Sequence, residues 1–297
     1  MMHIDKDLKH AGPIDRDKLK TVERWILSRL NAVTREVNKQ LSVFRFDEAA
    51  NAIYQFFWHE FCDWYIEMAK PVLLGKHGTD DDRALARRVL LEVLDRSLRL
   101  LHPFMPFITE EIWQKLGGVE PSIMIAPYPI TEEVLEDSEA ERLTSAVKAI
   151  ITTIRNLRAE RGFTPKERFT LYIRGNADAT RSTEARELNF FREYAYLLIE
   201  LARLNEVLVE GELPAGAHQD VVEGFAIAIV FPEKVVSEEQ REKVRREIEK
   251  TRTELAAMDA KLANEQFVRN APPQVVQATQ ARQIELRARL ETLQQNQ

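Results

Sequence analysis

The sequence contains little of the chemistry on which self-contained enzymes depend. Its single cysteine, Cys62, excludes an intramolecular disulfide and any zinc site built from several thiolates, and it fits a reducing cytoplasm. The phosphate-binding patterns GxGxxG and GxxxxGKS/T and the metalloprotease pattern HExxH do not occur, and the six histidines are too scattered to form a ligand set. We therefore expect neither a complete active site nor a metal site within this chain.

Long apolar runs and a surplus of positive charge are also missing. No segment approaches the roughly 18 uninterrupted apolar residues of a membrane span, and the N-terminus lacks the apolar core of a secretion signal. Because the net charge is −6, any nucleic-acid surface must be local. What the sequence does have is 44% hydrophobic residues over a length of 297, which is enough for two domains with a substantial core.

Hydrophobic periodicity predicts an antiparallel helical bundle over residues 21–135, preceded by a charged linker or tail over residues 1–20. Apolar residues recur in steps of three and four from Val22 to Val37, which is the spacing of an amphipathic helix. Three more helical stretches follow before a segment rich in Gly and Pro closes the bundle. The first part of the chain is therefore expected to be a bundle of four helices.

Capping signals delimit these helices. Asp47 is the expected N-cap of the second helix, and Pro71 is expected to end or bend it. Thr79, or one of the aspartates that follow it, is the expected N-cap of the third helix.

Residues 136–235 follow a different pattern and predict a small α+β subdomain with mixed or antiparallel pairing. A helical stretch comes first, and beyond it apolar and polar residues alternate with the period of two that is typical of a half-buried strand. The predicted elements are a helix over residues 138–161, a strand around 169–173, a helix over 183–201 and strands over 207–212 and 224–231.

Residues 236–297 carry two heptad seams, interrupted by the segment NEQFVRNAPP. Two such helices fold back on each other most simply as an antiparallel coiled-coil hairpin. The expected fold class is thus mainly α: a helical bundle, a small α+β subdomain and a C-terminal coiled-coil hairpin.

One motif raises the question of catalysis, since residues 101–113 read LHPFMPFITEEIW. His102 with the paired Glu110 and Glu111 could in principle perform acid–base chemistry as in a hydrolase, but no common catalytic motif uses this spacing across two prolines. The alternative is a helix start, with Pro106 in the first turn and the glutamates favoured by the helix dipole. On that interpretation one apolar face packs into the bundle; it comprises Phe104, Phe107, Ile108, Ile112 and Leu116.

The same motif, extended to LHPFMPFITEEIWQKL, resembles the signature of the helical anticodon-binding domain in the class I aminoacyl-tRNA synthetases for valine, isoleucine and leucine. Other segments resemble consecutive C-terminal parts of the bacterial-type valyl-tRNA synthetase family. They read ERWILSRLNAVTREV, FRFDEAANAIYQFFWHEFCDWYIEMAKP, IITTIRNLRAERGFTPKERFTLYI and KLANEQFVRNAPPQVV. The last is the most specific, because NxxFVxxAPxxVV is typical of the arm of the valine enzyme. The resemblance runs from about Lys20 to the end of the chain.

The resemblance implies a function and its limits. The HIGH-like and KMSKS-like motifs and the editing domain of that family are not found here, so ATP and Mg would belong to a missing catalytic half. This chain is expected to hold no cofactor, to be non-catalytic and to recognise the anticodon and the corner of a tRNA. Expected partners are the valine-accepting tRNA and the missing catalytic domain, for a cytoplasmic, monomeric protein without a membrane contact. The alternative is a stand-alone structural or interaction protein.

Basic residues are concentrated locally, as phosphate binding requires. Residues 139–174 contain eight Lys or Arg against four acidic residues. The spacing of Arg155, Arg158 and Arg161 puts them roughly on one helix face, with Lys166 in the adjoining loop, although ion pairs on a solvated face would explain them equally well. The remaining candidates are Arg24 and Arg29 on the first helix, Arg45 in the following turn beside two phenylalanines, and Arg241, Lys243, Arg245, Arg246, Lys250 and Arg252 on the arm, where coiled-coil salt bridges are the alternative.

Overall fold

A computed structural model of the protein describes most of the chain. The described residues are 14–116, 120–132, 135–164, 166–176, 181–211, 214, 216–231 and 238–263, with the single positions 279, 283, 286, 287 and 290. The chain divides into two compact units, Met1–Pro232 and Glu233–Gln297. Each unit is described by itself below.

The first unit is a helical bundle joined to a small sheet. Its helices are α1 (Thr21–Ser42), α2 (Phe46–Gln55), which continues through a π-helical stretch (Phe56–Tyr65) into α3 (Ile66–Leu73), α4 (Asp80–Leu101), α5 (Pro106–Leu116), α6 (Ser138–Glu160), α7 (Arg181–Glu193) and α8 (Ala195–Ala202). Its strands are β1 (Phe169–Asn176), β2 (Leu204–Val209), β3 (His218–Val222) and β4 (Phe225–Val230). Single 3-10 turns lie at Arg16–Lys18 and Ile123–Ile125.

The bundle is organised around α1, whose apolar stripe is buried as the sequence predicts. Ile26, Leu30 and Val37 are fully enclosed, and α1 packs against α2, α4 and α6. Each such aliphatic side chain contributes about 1.5–3 kcal/mol when it leaves water. The same buried cluster continues through α6 into β1 and β4. Bundle and sheet therefore share one core within this unit.

One predicted helix start differs from the structure, and another is confirmed. Helix α2 begins at Phe46 with Arg45 as its N-cap, so Asp47 lies in the first turn, where it still faces the positive end of the helix dipole. Pro71 lies inside α3, which ends two residues later at Leu73. Thr79 caps α4 in a full capping box with Asp82.

The predicted apolar face of α5 is only partly correct. Pro106 does open the helix, but Phe107 is 92% exposed and Ile108 is 48% exposed. The face that turns inward carries Thr109 and Trp113, which are four residues apart and whose polar atoms are held by hydrogen bonds to Met105 O and Asp95 respectively. The bond from Trp113 reaches Asp95 on α4 and ties this face of α5 to the bundle, whereas the bond from Thr109 stays within the turn that opens α5. The other members of the predicted face, Phe104, Ile112 and Leu116, are partly buried.

The sheet has mixed pairing, as predicted, in the order β2-β1-β4-β3. Strand β1 runs parallel to β2 and antiparallel to β4, and β3 and β4 form a hairpin. Strand β3 was not predicted, because its sequence HQDVV is mostly polar and exposed. The single predicted helix over residues 183–201 is in fact two helices, which break at Tyr194.

In the second unit, α9 spans Glu238–Ala263. Ile248 and Leu286 are buried, and the Gln283 side-chain amide donates a hydrogen bond to Asp259 on α9. The hydrogen bond places Gln283, from the predicted second helix, beside α9. The interrupting segment NEQFVRNAPP lies outside the described residues.

Candidate nucleic-acid interface

The arginines of α6 do not form one free cationic face. Arg158 is 9% exposed, and its guanidinium stands 4.3 Å from the ring centroid of Phe169. Burial lowers the pKa of Arg158. Its two terminal nitrogens donate to the carbonyl oxygens of Thr164 (3.0 Å), Glu167 (2.5 Å), Ala202 (3.0 Å) and Arg203 (3.1 Å). Because these donors are occupied, Arg158 joins α6, the loop after it and the α8–β2 turn, and we leave it out of the RNA surface proposed below.

Arg155 and Arg161 are anchored but remain exposed. Arg155 donates two hydrogen bonds to Leu201 O, at 3.2 and 3.0 Å, and its guanidinium lies 5.7 Å from the ring of Trp64. The Arg161 guanidinium lies 4.3 Å from the ring of Phe231. Arg161 Nη2 also lies 3.4 Å from His218 Nδ1, so both arginines are exposed and have partners within the fold.

Lys166 is the freest of the predicted cations in this region. Its side chain is exposed, and within the part of the chain that the structure describes it makes no hydrogen bond or ion pair. It stands in the loop between α6 and β1, next to the exposed end of the α6 face.

The two candidates on α1 hold the bundle together. Arg29 donates to both carboxylate oxygens of Glu60, at 2.7 and 2.9 Å, and lies 3.4 Å from Glu141. The hydrogen bonds to Glu60 raise the pKa of Arg29 above its ordinary value. Arg24 lies 3.4 Å from Asp137, which precedes α6. Both arginines therefore connect α1 to neighbouring elements.

The turn between α1 and α2 presents two aromatic rings to solvent. Phe44 is 78% exposed with φ +60°, and Phe46 is 56% exposed; their ring centroids are 6.2 Å apart with the planes at 74°. Between them, Arg45 donates to Glu48 at 2.7 Å, while its backbone N–H closes the turn onto Gln40 O. A bulky residue in the left-handed region is strained by about 1–3 kcal/mol and marks candidate functional positions. The sequence signal for this site is the triplet FRF, of which the sequence alone predicts only Arg45 as a contact.

The contacts of His102, Glu110 and Glu111 do not support the acid–base interpretation of the LHPFMPFITEEIW motif. His102 Nδ1 faces the Thr109 hydroxyl at 2.7 Å. Glu110 accepts hydrogen bonds from Gln114, the Ser122 hydroxyl and Ile123 N, which lower its pKa, and Glu111 pairs with Lys115. Glu110 thus binds the chain that follows α5, and Glu111 forms an ion pair on the surface of α5. Nothing in these contacts forms an acid–base pair.

The basic residues of the arm lie on α9. Lys250 and Arg252 are exposed, whereas the side chains of four others fall outside the described residues: Arg241, Lys243, Arg245 and Arg246. Among the residues that the structure describes, no group of three or more His, Cys, Asp or Glu is arranged to hold a metal ion. Over the same residues, no helix is both long and apolar enough to cross a membrane.

Comparison with known families agrees with the arrangement of elements. The family described as the anticodon-binding domain of tRNA ligase matches residues 23–173, which cover the bundle and reach β1. The chain therefore belongs to the anticodon-binding domain family of tRNA ligases. A second family, the valyl tRNA synthetase tRNA binding arm, matches residues 232–297.

Relatives that match almost the whole chain are valine–tRNA ligases. That of Thermotoga maritima is 39% identical over 97% of this chain and 31% of its own length. Those of Carboxydothermus hydrogenoformans, 38% identical over 89% of this chain and 29% of its own length, and of Clostridium acetobutylicum, 33% identical over 99% and 33%, are similar. The chain thus spans about a third of the length of these relatives.

Proposed function

We propose that this chain is a tRNA-binding region of a valine–tRNA ligase and that it recognises the anticodon loop and the outer corner of the valine-accepting tRNA. The observation that carries the proposal is the exposed pair Phe44 and Phe46 on the anticodon-binding domain. Activation of valine with ATP and Mg is assigned to catalytic segments outside this chain, which would be its covalent partner. We also propose that the protein is monomeric and cytoplasmic.

The aromatic turn suits unpaired bases for a physical reason. Single-stranded RNA is recognised by stacking splayed bases on aromatic rings, worth about 1–3 kcal/mol per base. The edge-to-face arrangement of Phe44 and Phe46 leaves a ring face open for a base, and Arg45 sits between them as a hydrogen-bond donor. Left-handed backbone at a phenylalanine costs stability. We propose that the conformation is retained because it presents the ring for stacking on a base.

Phosphate contacts are proposed on the exposed end of α6 and on the arm. Lys166, Arg155 and Arg161 are solvent-exposed there, in a chain whose net charge is −6. Phosphate neutralisation by such a local group releases counter-ions, so affinity should fall steeply with salt. Arg24 and Arg29 are assigned to bundle stability.

For the arm we propose an antiparallel coiled-coil hairpin over residues 236–297 that contacts tRNA backbone. The hydrogen bond from Gln283 to Asp259 and the burial of Ile248 and Leu286 support it. Exposed Lys250 and Arg252, with the other basic residues of α9, would follow the phosphates.

A second candidate is a docking surface for another polypeptide, favoured by the apolar patch around the start of α5. Phe107 is 92% exposed, and Met124 and Ile125 beyond α5 are 77% and 61% exposed. This interpretation matches the alternative of a structural or interaction protein. It predicts that substitution of Phe107, rather than of Phe44, weakens binding to that polypeptide.

The proposal is tested by measuring binding of the whole chain to valine-accepting and non-cognate tRNA transcripts over a series of ionic strengths. We expect preference for the valine acceptor and a steep loss of affinity with salt. Salt-insensitive binding to all tRNAs, or none, contradicts it. Phe44→Ala and Phe107→Ala form a matched pair of exposed phenylalanines: only the first should weaken binding.

A further inference from the structure

A cavity of about 140 Å³ lies within the first unit, where the beginnings of α1 and α4, the end of α3 and the α7–α8 junction meet. Met68, Ala69, Val72 and Leu85 form its apolar part. Its polar part combines carboxylates with aromatic rings. Because α1 is a 22-residue helix, the cavity and the Phe44 turn lie at opposite ends of it, roughly 30 Å apart. A ligand in this cavity therefore lies far from the proposed anticodon-binding turn.

Glu23 is the unusual group in this cavity. It is 9% exposed, and its Oε2 atom has no hydrogen-bond partner among the residues that the structure describes. Burial raises the pKa of Glu23 above its ordinary range. The cation on the wall, Lys20, forms its ion pair with Asp82 at 2.9 Å and acts on Glu23 through electrostatic attraction without a hydrogen bond to its Oε2. A buried carboxylate without its own counter-ion is costly, so a site that supplies one is favoured.

The remaining walls are suited to a positive charge. His77 stacks on Tyr196 with ring centroids 3.8 Å apart, and Tyr194 lies beside Tyr196 at 6.1 Å. The Tyr194 hydroxyl is held in place by the Thr21 backbone N–H at 2.9 Å. Aromatic faces carry negative charge density and attract cations, and Glu193 adds another carboxylate to the rim.

We propose that this cavity binds a small organic cation with a primary ammonium head, which pairs with Glu23 in the cavity that Tyr194 and Tyr196 also line. The ammonium group offers three donors, and one of them satisfies Glu23 Oε2. The short alkyl stem lies against the aliphatic residues from α3 and α4. The same head group occurs on free amines and on lysine side chains of polypeptides, so both sources are tested.

The test is a calorimetric titration of the full chain with ethylammonium chloride and, separately, with a lysine-containing tripeptide blocked at both ends. Sodium chloride at equal ionic strength is the background. We expect saturable binding of at least one probe; binding of the first alone assigns a free amine, and binding of the second assigns a polypeptide side chain. Absence of saturable binding by both probes overturns the proposal.

Variants locate the binding. Glu23→Gln keeps the shape of the side chain and removes its charge, so affinity should fall roughly 30-fold or more. Glu139→Gln makes the same change on an exposed carboxylate of α6 and should leave affinity unchanged. Equal binding by Glu23→Gln and wild type overturns the proposal. If Glu23→Gln does not fold, Tyr196→Leu is used instead. It removes an aromatic wall of the cavity and should weaken amine binding several-fold. Unchanged amine affinity of Tyr196→Leu would also overturn the proposal.

The tRNA affinity of Glu23→Gln tests the cavity site separately from the proposed RNA surface. It should be normal, because the α1–α2 turn is at the other end of α1. A variant that binds tRNA but not the amine supports the cavity site, and failure of the amine titration leaves the RNA proposal standing on its own test.

Discussion

The end of α6 and the turn between α1 and α2 both combine arginine with phenylalanine, and they use the pair in opposite ways. At the end of α6, the Arg158 guanidinium lies under the Phe169 ring and donates to four backbone carbonyls. At the turn, Phe44 and Phe46 face solvent on either side of Arg45. A cluster of cations in a sequence therefore does not identify an RNA surface, since the same residue type can be consumed by the fold.

The largest expected effect is on stability at α6. Arg158→Ala leaves four carbonyl acceptors without their donor, so we expect unfolding to become easier by about 3–5 kcal/mol, measured by urea denaturation. The control is Arg155→Ala, an exposed neighbour, which should cost about 1 kcal/mol or less. If both variants lose equal stability, the proposed distinction between the two arginines is wrong.

The next effect concerns RNA at the turn. Phe44→Ala should weaken tRNA binding by about 1–3 kcal/mol, the value of one stacked base, without loss of stability. The measurement is filter binding at fixed ionic strength, with Phe107→Ala as the control. Normal tRNA affinity of Phe44→Ala would contradict stacking at the turn, and weakened tRNA binding by Phe107→Ala would place an RNA contact at the start of α5 instead.

A third variant separates strain from recognition at the same residue. Phe44→Gly relieves the left-handed backbone, so it should be more stable than Phe44→Ala by about 1 kcal/mol. Both should bind tRNA equally weakly, because neither has a ring. Urea denaturation of the pair checks the first expectation, and a Phe44→Gly protein less stable than Phe44→Ala argues against strain.

A carboxyl group that stabilises the fold through hydrogen bonds has a shifted pKa, and the pH dependence of stability reveals it. The ion pair with Lys20 and the hydrogen bonds from Thr79 lower the pKa of Asp82 to about 2, from 3.8 in the absence of partners. A lowered carboxyl pKa stabilises the fold above pH of about 4, and that contribution is lost as pH falls from about 4 to 2. Thr79→Ala should cost about 1 kcal/mol at neutral pH and flatten this acid dependence. A steeper dependence in the variant would contradict the assignment.

The smallest expected effect is that of Lys166→Ala on tRNA binding. Removing one phosphate contact should reduce the slope of log affinity against log salt concentration by about 1, with a small loss of affinity at moderate salt. The matched control is Lys115→Ala, which removes a cation paired with Glu111 away from α6. An unchanged slope for Lys166→Ala would remove it from the interface.

The sequence predicted the elements better than their orientation. The capping box at Thr79 and the alternation in β1 are local signals, and both appear in the structure. The exposure of Phe107 is not a local signal, because the inward face of α5 is tied to α4 by the hydrogen bond from Trp113 to Asp95. Strand β3 was missed for a related reason: its pairing with β4, rather than its own apolar content, makes it a strand.

The candidate site was predictable only in outline. The spacing of Arg155, Arg158 and Arg161 was read as one helix face, but nothing in that spacing reveals that carbonyls from the α8–β2 turn surround the middle residue. The triplet FRF is visible in the sequence, but the sequence alone does not show that its two phenylalanines are exposed. Their exposure follows from the left-handed conformation at Phe44, which depends on the closure of the turn onto Gln40.

The most direct test asks whether the aromatic turn contacts anticodon bases. Wild type and Phe44→Ala are each titrated with the anticodon stem-loop of the valine-accepting tRNA and with the same stem-loop made abasic at the anticodon. Stacking predicts that Phe44→Ala weakens binding of the intact loop by about 1–3 kcal/mol and has no effect on the abasic loop. An equal loss for both loops would contradict the claim that Phe44 stacks on an anticodon base.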